Sequence, residues 1–257
     1  MKAYIITVGN EVLKGRTVNT NAAHIGRALT YAGYDVVRVV VVPDDVDEIA
    51  WAFRDALSKA DLIVSTGGLG PTFDDKTLEG LAKALGVELE LNQEAYRMVK
   101  EKYDRLGVEL TRERIKMAYL PKGAKPLPNP VGTAPGVYIE YQGKRIIALP
   151  GVPAEMEAIL DEVLPQLRVP GRFYYEESTT IRGIMESTMA PIIADLMKKY
   201  AGQVYIKSHP KGIEIGNPVL EIEVSASGGS EADVRDLVKR VLGELMQRAR
   251  GINPQCC

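Results

Sequence analysis

The hydrophobic pattern in the first part of the chain alternates between two periods. Short apolar runs are separated by longer stretches in which apolar residues recur at helical spacing. Strands that alternate with helices of this length form βαβ units, which place the strands in a parallel sheet with right-handed crossovers. The pattern therefore predicts an α/β fold with strands at Ala3–Val8, Asp35–Val42 and Asp61–Ser65, and helices at Asn21–Tyr31, Val46–Ala60 and Thr77–Leu85.

The next part of the chain predicts a helix, a proline-rich loop and a hairpin. The charged helix at Gln93–Leu106 is either a solvated amphipathic helix, a lid or an oligomer contact. Closely spaced prolines between Pro121 and Pro135 indicate a surface loop. A hairpin follows at Val137–Tyr141 and Arg145–Leu149, and then a helix at Ala154–Leu167.

A second domain is predicted to begin after Pro165–Gly171, because the proline and glycine residues of this segment end the preceding helix. The pattern beyond it predicts the order strand, helix, strand, strand, helix, which describes a small α+β domain. This order is also KH-like, but no G-x-x-G with flanking basic residues lies between the elements, so RNA binding has weak support. The predicted domains cover residues 1–168 and 172–250, with a flexible tail at 251–257, and the elements of the second domain are Phe173–Ile181, Ser187–Tyr200, Val204–Ser208, Val219–Ala226 and Glu231–Arg250.

The composition is that of a globular protein. The chain has 257 residues, of which 46% are hydrophobic and 26% are charged, and this length suffices for one large or two modest domains. A net charge of −2 argues against a broad nucleic-acid-binding surface. The apolar runs are shorter than the ~20 residues that span a membrane, and the first residues are typical of a strand rather than a signal peptide. We therefore expect a cytoplasmic protein.

Cysteine and histidine offer little material for metal or nucleophile chemistry. The two cysteines are Cys256 and Cys257, the last two residues, so a Cys-x-x-Cys site and an internal disulfide staple are both excluded. We expect the pair to lie in the flexible tail, with an intermolecular disulfide as the lesser alternative. His24 and His209 are the two histidines, and each is more typical of a surface or packing residue than of a ligand.

A glycine-rich turn after the third strand is the most informative chemical feature. Its glycines allow positive φ and let a ligand approach the main chain closely, and the proline that follows fixes the exit of the turn. The turn leads into a helix N-terminus, where the helix dipole favours an anion. We therefore predict a phosphate-binding loop, formed by Ser65, Thr66, Gly67, Gly68, Gly70, Pro71 and Thr72.

Two adjacent carboxylates complete this segment. Asp74 or Asp75 could cap the helix that follows, since Asp is a favoured N-cap residue, and Thr77 could take that role instead. Two carboxylates beside a phosphate would repel it unless a hard cation lay between them. The segment therefore also predicts a divalent-metal site with Asp74 and Asp75 as its ligands.

Three sequence motifs occur in order in the first two thirds of the chain. They are Gly9–Gly15 with Asn19–Asn21, then Thr66–Asp75, and then Leu149–Met156. Together they resemble the motifs of the CinA (competence/damage-inducible) family. The resemblance implies the three-layer, mostly parallel sheet of the MoaB/MogA type, found in molybdopterin-binding proteins. It also implies a KH-like second domain, in which Gly183–Ser187 stands at the expected place.

Two features depart from the family pattern. Many relatives carry Gly-Asp-Glu in the first motif, whereas this chain has Asn10, which removes one potential metal-binding carboxylate. Longer members end in a deamidase domain that acts on nicotinamide mononucleotide. This chain stops before such a domain, so we expect that activity to be absent.

The resemblance implies a nucleotide or pterin site. CinA-type domains are associated with metal-dependent hydrolysis of ADP-ribose and similar dinucleotide pyrophosphates, whereas MogA-like relatives bind molybdopterin or its adenylated form. In the molybdopterin branch the functional aspartate corresponds to Asp75, and an early Pro-Asp corresponds to Pro43 and Asp44. Both ligands carry phosphate on an organic core, so the shared architecture does not choose between them.

Roles for individual residues follow from the chemistry of pyrophosphate hydrolysis. Asp75 is the expected metal ligand or water-orienting base, with Asp74 or Asp44 assisting, although Asp44 could instead begin a helix. Glu11 could bind a metal or a ribose hydroxyl, or be a surface residue, and Asn21 could contact the ligand or cap a helix. The further residues expected in the pocket wall are Gly9, Glu11, Asn21, Pro150 and Gly151.

The sequence is compatible with three functions. The first is a pyrophosphatase acting on ADP-ribose or a similar dinucleotide, with Mg²⁺, Mn²⁺ or Co²⁺ and no organic cofactor. The alternative is a molybdopterin-binding protein related to molybdenum cofactor biosynthesis, without hydrolase activity. The third is an RNA-binding or interaction protein that uses the second domain. We expect a small nucleotide or pterin phosphate as the ligand, a homo-oligomer (dimer or trimer), and no nucleic-acid partner.

Overall fold

The chain divides into two compact units, each with its own hydrophobic core. The computed structural model describes residues 1–211 and 216–257. The first unit comprises Met1–Thr30 and Tyr34–Arg168, and the second comprises Tyr31–Gly33 and Val169–Cys257. In the described residues, no helix combines the length and the apolar character needed to cross a membrane.

A six-stranded sheet forms the centre of the first unit. The strands of this unit are β1 (Lys2–Val8), β2 (Asp35–Val42), β3 (Leu62–Thr66), β4 (Leu89–Leu91), β5 (Tyr119–Pro121), β6 (Lys125–Leu127), β7 (Gly136–Tyr141) and β8 (Lys144–Leu149). The sheet has the order β2-β1-β3-β8-β7-β6. Neighbours from β2 to β8 pair in parallel, and β7 pairs antiparallel with both β8 and β6. The predicted α/β fold with a mostly parallel sheet is confirmed.

The central strands are buried without alternation. All five residues of β3 are buried, as are six of the seven in β1. A strand that is covered on both faces needs apolar residues at successive positions, which explains runs such as Leu62–Val64. The carboxyl ends of these parallel strands consequently lie at one edge of the sheet, where ligands of α/β proteins bind.

The helices of the first unit connect and cover these strands. They are α1 (Asn10–Leu13), α2 (Thr20–Tyr31), α3 (Val46–Lys59), α4 (Thr77–Leu85), α5 (Gln93–Leu106), α6 (Arg112–Ile115), a 3-10 helix (Lys116–Ala118) and α7 (Pro153–Leu167). The side chain of Asp45 caps α3 by accepting from the backbone N–H groups of Asp47 and Glu48. Gly86 ends α4 in the left-handed conformation, with φ of +68°.

The proline-rich segment from Pro121 to Pro135 is more regular than the loop that we expected. Its residues Lys125–Leu127 form β6, the edge strand of the central sheet, and β5 pairs with β4 in a separate two-stranded sheet. Pro126 is tolerated there because an edge strand has one side on which no N–H is needed. Three-residue strands are too short to show a period, so tertiary pairing alone creates them.

The second unit is a small α+β domain. Its elements are β9 (Phe173–Arg182), α8 (Glu186–Lys199), β10 (Val204–Pro210), β11 (Val219–Gly228) and α9 (Glu231–Ile252), and the antiparallel sheet has the order β10-β11-β9. In β11 the buried Leu220, Ile222 and Val224 alternate with less buried residues, which include Glu221 and Glu223. Basic residues accompany these glutamates, since Lys207 stands opposite Glu223 and Lys211 pairs with Glu221 at 2.7 Å, so the charge of this face is mixed.

The last residues of the chain differ from the flexible tail that we expected at 251–257. Helix α9 continues to Ile252, and the side chain of Cys256 is only 1% exposed within the second core. The carbonyl of Cys256 also accepts a hydrogen bond from the Arg182 N–H at 2.8 Å. Burial of the small Cys256 side chain thus orders the end of the chain. The composition of residues 251–257 gave no indication of this burial.

An ion cluster links the two helices of the second unit. Glu244 of α9 accepts hydrogen bonds from Lys199 at 2.7 Å, Tyr200 at 3.0 Å and Arg248 at 2.9 Å. These donors, led by Lys199, lower the pKa of Glu244 to about 2, although partial burial opposes the shift. Protonation of Glu244 would leave Lys199 without its carboxylate partner, whereas Arg248 would keep its ion pair with Asp195.

Acid should destabilise the second unit through Glu244. A carboxyl with a lowered pKa in the folded state contributes stability above its unfolded pKa, and this contribution is lost as the pH falls towards the folded value. We expect thermal melts followed by circular dichroism to show a loss of stability between about pH 4.5 and pH 2 that is smaller in Glu244→Gln. Glu231→Gln removes an exposed pair with Arg235 and should keep the wild-type decline. An equal decline in all three proteins would contradict this role of Glu244.

Helices α3 and α4 pack at a distance that requires a glycine. A Cβ atom at Gly80 would lie 2.3 Å from Cγ2 of Ile49, well inside contact distance. A Cβ atom at Gly26 in α2 would lie at an ordinary 3.6 Å from Cδ1 of Ile5. A side chain at position 80 would therefore clash with Ile49, whereas one at position 26 would not clash with Ile5. Alanine substitutions at these two positions can be compared directly.

Gly80→Ala should destabilise the first unit by about 1–3 kcal/mol, because overpacking outweighs the gain in helix propensity. Gly26→Ala should stabilise it by up to about 1 kcal/mol. Urea unfolding followed by the fluorescence of Trp51, the single tryptophan, measures both. Stabilisation by both substitutions would show that the packing of α3 on α4 is looser than the structure indicates.

Candidate functional site

Three strand ends meet closely at Gly67. The N–H of Gly67 donates to the carbonyl of Leu149 at the end of β8, at 3.0 Å. Gly67 has φ of +101°, and a Cβ atom there would lie 2.1 Å from the carbonyl oxygen of Val8 at the end of β1. Gly151 also approaches, since its Cβ position would lie 3.3 Å from the α-carbon of Gly67. This position accepts no side chain without displacing a neighbouring strand.

Thr77 fastens the glycine turn to helix α4. Its hydroxyl donates to the carbonyl of Gly67 at 2.7 Å, and its N–H donates to the carbonyl of Gly68 at 3.2 Å. The side chain is completely buried. The N-cap of α4 is Lys76, which provides no side-chain capping bond. The proposed capping of this helix by Asp74, Asp75 or Thr77 is therefore wrong, because all three side chains are used within the turn.

The paired carboxylates hold the turn from its other end. Oδ2 of Asp75 accepts from the N–H of Thr72 at 2.8 Å, and the hydroxyl of Thr72 lies between Asp74 and Asp75. The Thr72 hydroxyl, followed by the backbone N–H of Asp74, lowers the pKa of the Asp74 carboxyl. Lys116 donates to the carbonyls of Thr72 and Asp75 at 3.1 and 2.6 Å. The Asp74 carboxyl is thus favoured in its charged form, and the hydrogen bonds of both carboxylates shape the loop.

Asp44 and Asp45 have different tasks. Oδ2 of Asp44 accepts from the N–H of Asn10 at 2.9 Å, and the N–H of Gly9 donates to the carbonyl of Val42 at 3.1 Å. Asp45, and not Asp44, caps α3. Asp44 therefore fixes the segment after β1 against the end of β2, and its carboxylate faces the same cleft as the glycine turn.

Asn21, Ser65 and Thr66 lie behind the turn and not in the cleft. Nδ2 of Asn21 donates to Oγ1 of Thr66 and to the carbonyl of Gly151, both at 2.9 Å. Thr66 in turn donates to the carbonyl of Pro150 at 2.8 Å. The side chain of Ser65 is fully buried in β3. Asn21 and Thr66 thus brace the strand ends, whereas Oγ of Ser65 is buried with no hydrogen-bond partner among the described residues. None of the three residues lines the cleft in which we expected them to contact a ligand.

A cleft of about 380 Å³ lies on the solvent side of these elements. The other expected site residues all line it: Gly9, Glu11, Asp44, Gly67, Gly68, Gly70, Pro71, Thr72, Asp74, Asp75, Pro150 and Gly151. The side chains of Glu11, Asp44, Asp74, Asp75 and Glu155 make it acidic. An anion in this cleft consequently depends on backbone N–H groups or on an added cation.

A second cavity of about 290 Å³ adjoins the first. The two share Gly68, Leu69, Gly70, Asp75 and Met117, so the glycine turn lies between them. The walls of the second cavity are mainly apolar and include Leu78, Leu89 and Tyr119, with Glu79 and Lys116 among its polar residues. Oε1 of Glu79 lies 3.5 Å from Nζ of Lys116. The glycine turn therefore has an acidic cleft on one side and a mainly apolar cavity on the other.

Glu155 and Asn129 are site residues that the sequence reasoning missed. Glu155 lies in the first turn of α7 and lines the cleft, together with Thr133 and Ala134 of the preceding loop. Nδ2 of Asn129 donates to Oε2 of Glu155 at 2.7 Å. The motif Leu149–Met156 contained Glu155, but an acidic residue in the first turn of a helix is usual and gave no separate signal.

The carboxylates do not form a closed metal site by themselves. In the described part of the chain, no three His, Cys, Asp or Glu residues are grouped so that they could hold a metal ion. Mg²⁺ is commonly bound by one or two carboxylates together with phosphate oxygens of the ligand. Asp74 and Asp75 fit that open arrangement, with the ligand supplying the remaining oxygens.

The fold and the cleft define an α/β domain of the class that has its ligand-binding cleft at the carboxyl ends of the parallel strands. The family model described as "Probable molybdopterin binding domain" matches residues 4–169. The chain belongs to this family.

Two relatives extend the comparison. A protein of Caldivirga maquilingensis is 77% identical over 257 residues, with 100% of both chains covered. The crystal structure of the protein CinA from Thermoplasma acidophilum, described as of unknown function, is 56% identical to this chain. That match covers 66% of this chain and 100% of the other, with a TM-score of 0.63.

Loss of the Thr77 hydroxyl should loosen the glycine turn. Thr77→Val keeps the shape of the side chain but leaves the buried Gly67 carbonyl without its hydroxyl donor, which costs about 1–3 kcal/mol. Thr77→Ser keeps the hydroxyl and should cost less. Urea unfolding followed by Trp51 fluorescence compares the two variants. A larger loss for serine than for valine would assign the effect to packing of the methyl group instead.

Proposed function

We propose that this chain binds a molybdopterin-type ligand, a pterin that carries a phosphate group, in the cleft beside the glycine turn. The observation that carries this proposal is the position of the turn between an acidic cleft and an apolar cavity. The family match over residues 4–169 supports it, because that family is described by molybdopterin binding.

The phosphate belongs at the glycine turn for electrostatic reasons. Gly68 has φ of +66°, and its carbonyl accepts from the N–H of Thr77, the first residue of α4, at 3.2 Å. Backbone N–H groups at a helix N-terminus and in a turn of this kind attract anions. The rest of the cleft carries carboxylates, which would repel a phosphate. A divalent cation held by Asp74 and Asp75 would relieve this repulsion, and we propose Mg²⁺, Mn²⁺ or Co²⁺ for that role.

Pyrophosphate hydrolysis is the second candidate function. The paired carboxylates Asp74 and Asp75 at the phosphate position favour it, since a bridging cation there could polarise a phosphoryl oxygen. Cavities on both sides of the turn could also accept the two ends of ADP-ribose. The comparisons give this activity no support, so it ranks below binding.

A CinA-like assignment is also part of the proposal. It is supported by 56% identity with the CinA structure from Thermoplasma acidophilum over the whole of that chain. The order of elements in the second unit suits a KH-like domain. Exposed Val37, Val39 and Trp51 on the first unit favour the association of chains into a dimer or trimer.

Binding of a phosphorylated pterin tests the main proposal. We expect 6-hydroxymethylpterin phosphate to bind at least ~10-fold more tightly than the same pterin without phosphate, because hydrogen bonds to a charged group are strong. The change in pterin fluorescence on titration measures both dissociation constants. Equal affinities would show that the turn does not hold the phosphate.

A matched pair of glycine variants locates the binding. Gly68→Ala places a Cβ atom 2.4 Å from Oγ1 of Thr77 and should weaken binding of the phosphate probe by at least ~10-fold. Gly86→Ala imposes a similar backbone strain, since φ is +68° there, but in open space away from the cleft. It should leave binding unchanged. Equal effects of both variants would place the probe elsewhere.

Release of AMP from ADP-ribose tests the second candidate function, pyrophosphate hydrolysis. Incubation with ADP-ribose and Mg²⁺, Mn²⁺ or Co²⁺ should release AMP if the cleft is catalytic, and Asp75→Asn should abolish that release. Absence of AMP with all three cations eliminates this candidate and leaves the pterin-binding proposal intact.

A further inference from the structure

We propose that Glu155 recognises the ring of the bound ligand and selects a ring edge on which an N–H lies beside an amino group, as in a pterin. This inference rests on the proposed function and names the residue that would distinguish a pterin from other rings. Glu155 lies on the wall of the cleft formed by α7 and the loop at residues 129–134.

The Glu155 carboxylate is held in a fixed orientation by Asn129. Nδ2 of Asn129 donates to Oε2 of Glu155 at 2.7 Å and to the carbonyl of Ala134 at 2.8 Å. Oδ1 of Asn129 accepts from the N–H groups of Val131 and Gly132 at 3.0 and 2.7 Å. Asn129 is only 5% exposed. The loop is therefore folded around the side-chain amide of Asn129. One N–H of this amide is used within the loop, and the other holds Oε2 of Glu155 in place.

Gly132 leaves the space that this carboxylate occupies. A Cβ atom at position 132 would lie 2.1 Å from Oε2 of Glu155 and 2.4 Å from Oε1. The carboxylate thus packs against the bare α-carbon of Gly132. In the described residues, the hydrogen bond from Asn129 ends on Oε2, and neither a hydrogen bond nor an ion pair ends on Oε1. One oxygen is held by the protein, and the other remains able to accept from a ligand.

Three of the other four acidic residues of the cleft accept hydrogen bonds from neighbouring segments of the first unit. Asp74 and Asp75 accept from Thr72, and Asp44 accepts from the N–H of Asn10. Glu11 is exposed on the short helix α1 and lies against Gly9. Glu155 is consequently the cleft carboxylate that is oriented by a buried side-chain amide, whereas the donor to Asp44 is an exposed backbone N–H.

The chemistry of an ionised carboxylate defines the ring edge that it can bind. Such a group accepts hydrogen bonds at two oxygens and donates none. The pyrimidine edge of a pterin offers a ring N–H and a 2-amino group side by side, so it can donate to both oxygens. The matching edge of adenine places an acceptor nitrogen beside its amino group, which would face the carboxylate unfavourably.

A pair of pteridine probes tests this assignment. The first is 6-hydroxymethylpterin phosphate, and the second is its lumazine counterpart, in which a carbonyl oxygen replaces the 2-amino group. Fluorescence titration of the whole chain should give a dissociation constant at least ~10-fold lower for the pterin, because one charge-assisted hydrogen bond is lost with the lumazine.

Two substitutions on α7 make the test specific. Glu155→Gln keeps an oxygen for Asn129 but adds a donor that can face the lumazine carbonyl, so the preference should fall to about 3-fold or less. Glu157→Gln removes the partner of His24, whose Nδ1 lies 3.4 Å away, and lies outside the cleft lining. It should keep the wild-type preference.

The outcomes separate this inference from the proposed function. Failure of both probes to bind the wild-type chain overturns the proposed function, and the assignment of Glu155 with it. Binding of both probes with equal affinity overturns the role of Glu155 alone. The same holds for a pterin preference that Glu155→Gln leaves unchanged. Loss of the preference in Glu155→Gln and its retention in Glu157→Gln supports the assignment.

Discussion

The approach of Gly67 to its neighbouring strands is the constraint on which the site depends. The N–H of Gly67 bonds to the end of β8, and its α-carbon lies against the carbonyl of Val8 at the end of β1. A side chain there would push the strand ends apart. Because the main chain turns at this point with positive φ, the next residues leave the sheet and run along its edge towards α4. The cleft exists where that path separates from the strands.

Hydrogen bonds within the turn decide how its charge is used. Thr77 holds the beginning of the turn, and Thr72 holds the two carboxylates near its end. These bonds turn Asp74 and Asp75 away from the capping position on α4. A carboxylate that caps a helix accepts hydrogen bonds from the first N–H groups of that helix. Here the hydroxyl of Thr72 binds both carboxylates instead. The result is a negative rim beside a backbone that attracts anions, which suits a phosphate accompanied by a cation.

The sequence predicted most of the cleft and little of what supports it. Glycines with positive φ and paired carboxylates have strong local signals, so Gly67, Gly68 and Asp75 were found from the sequence alone. Ser65 and Thr66 have the same local character as a phosphate-binding pair, yet burial in and behind β3 removes them from the cleft. Asn129 gave no signal, because its function comes from a partner, Glu155, that is distant in sequence.

The sequence by itself determined the α/β class, the run of parallel strands and the position of the glycine turn, because each depends on apolar periodicity or on backbone freedom over a few residues. The tertiary structure alone decided which polar side chains face the cleft. Asn21 braces strand ends, Asp44 secures Asn10, and Glu155 is oriented by Asn129. The role of a polar side chain depends on which hydrogen-bond donor or acceptor lies nearest to it. That partner is known only once the strands are packed.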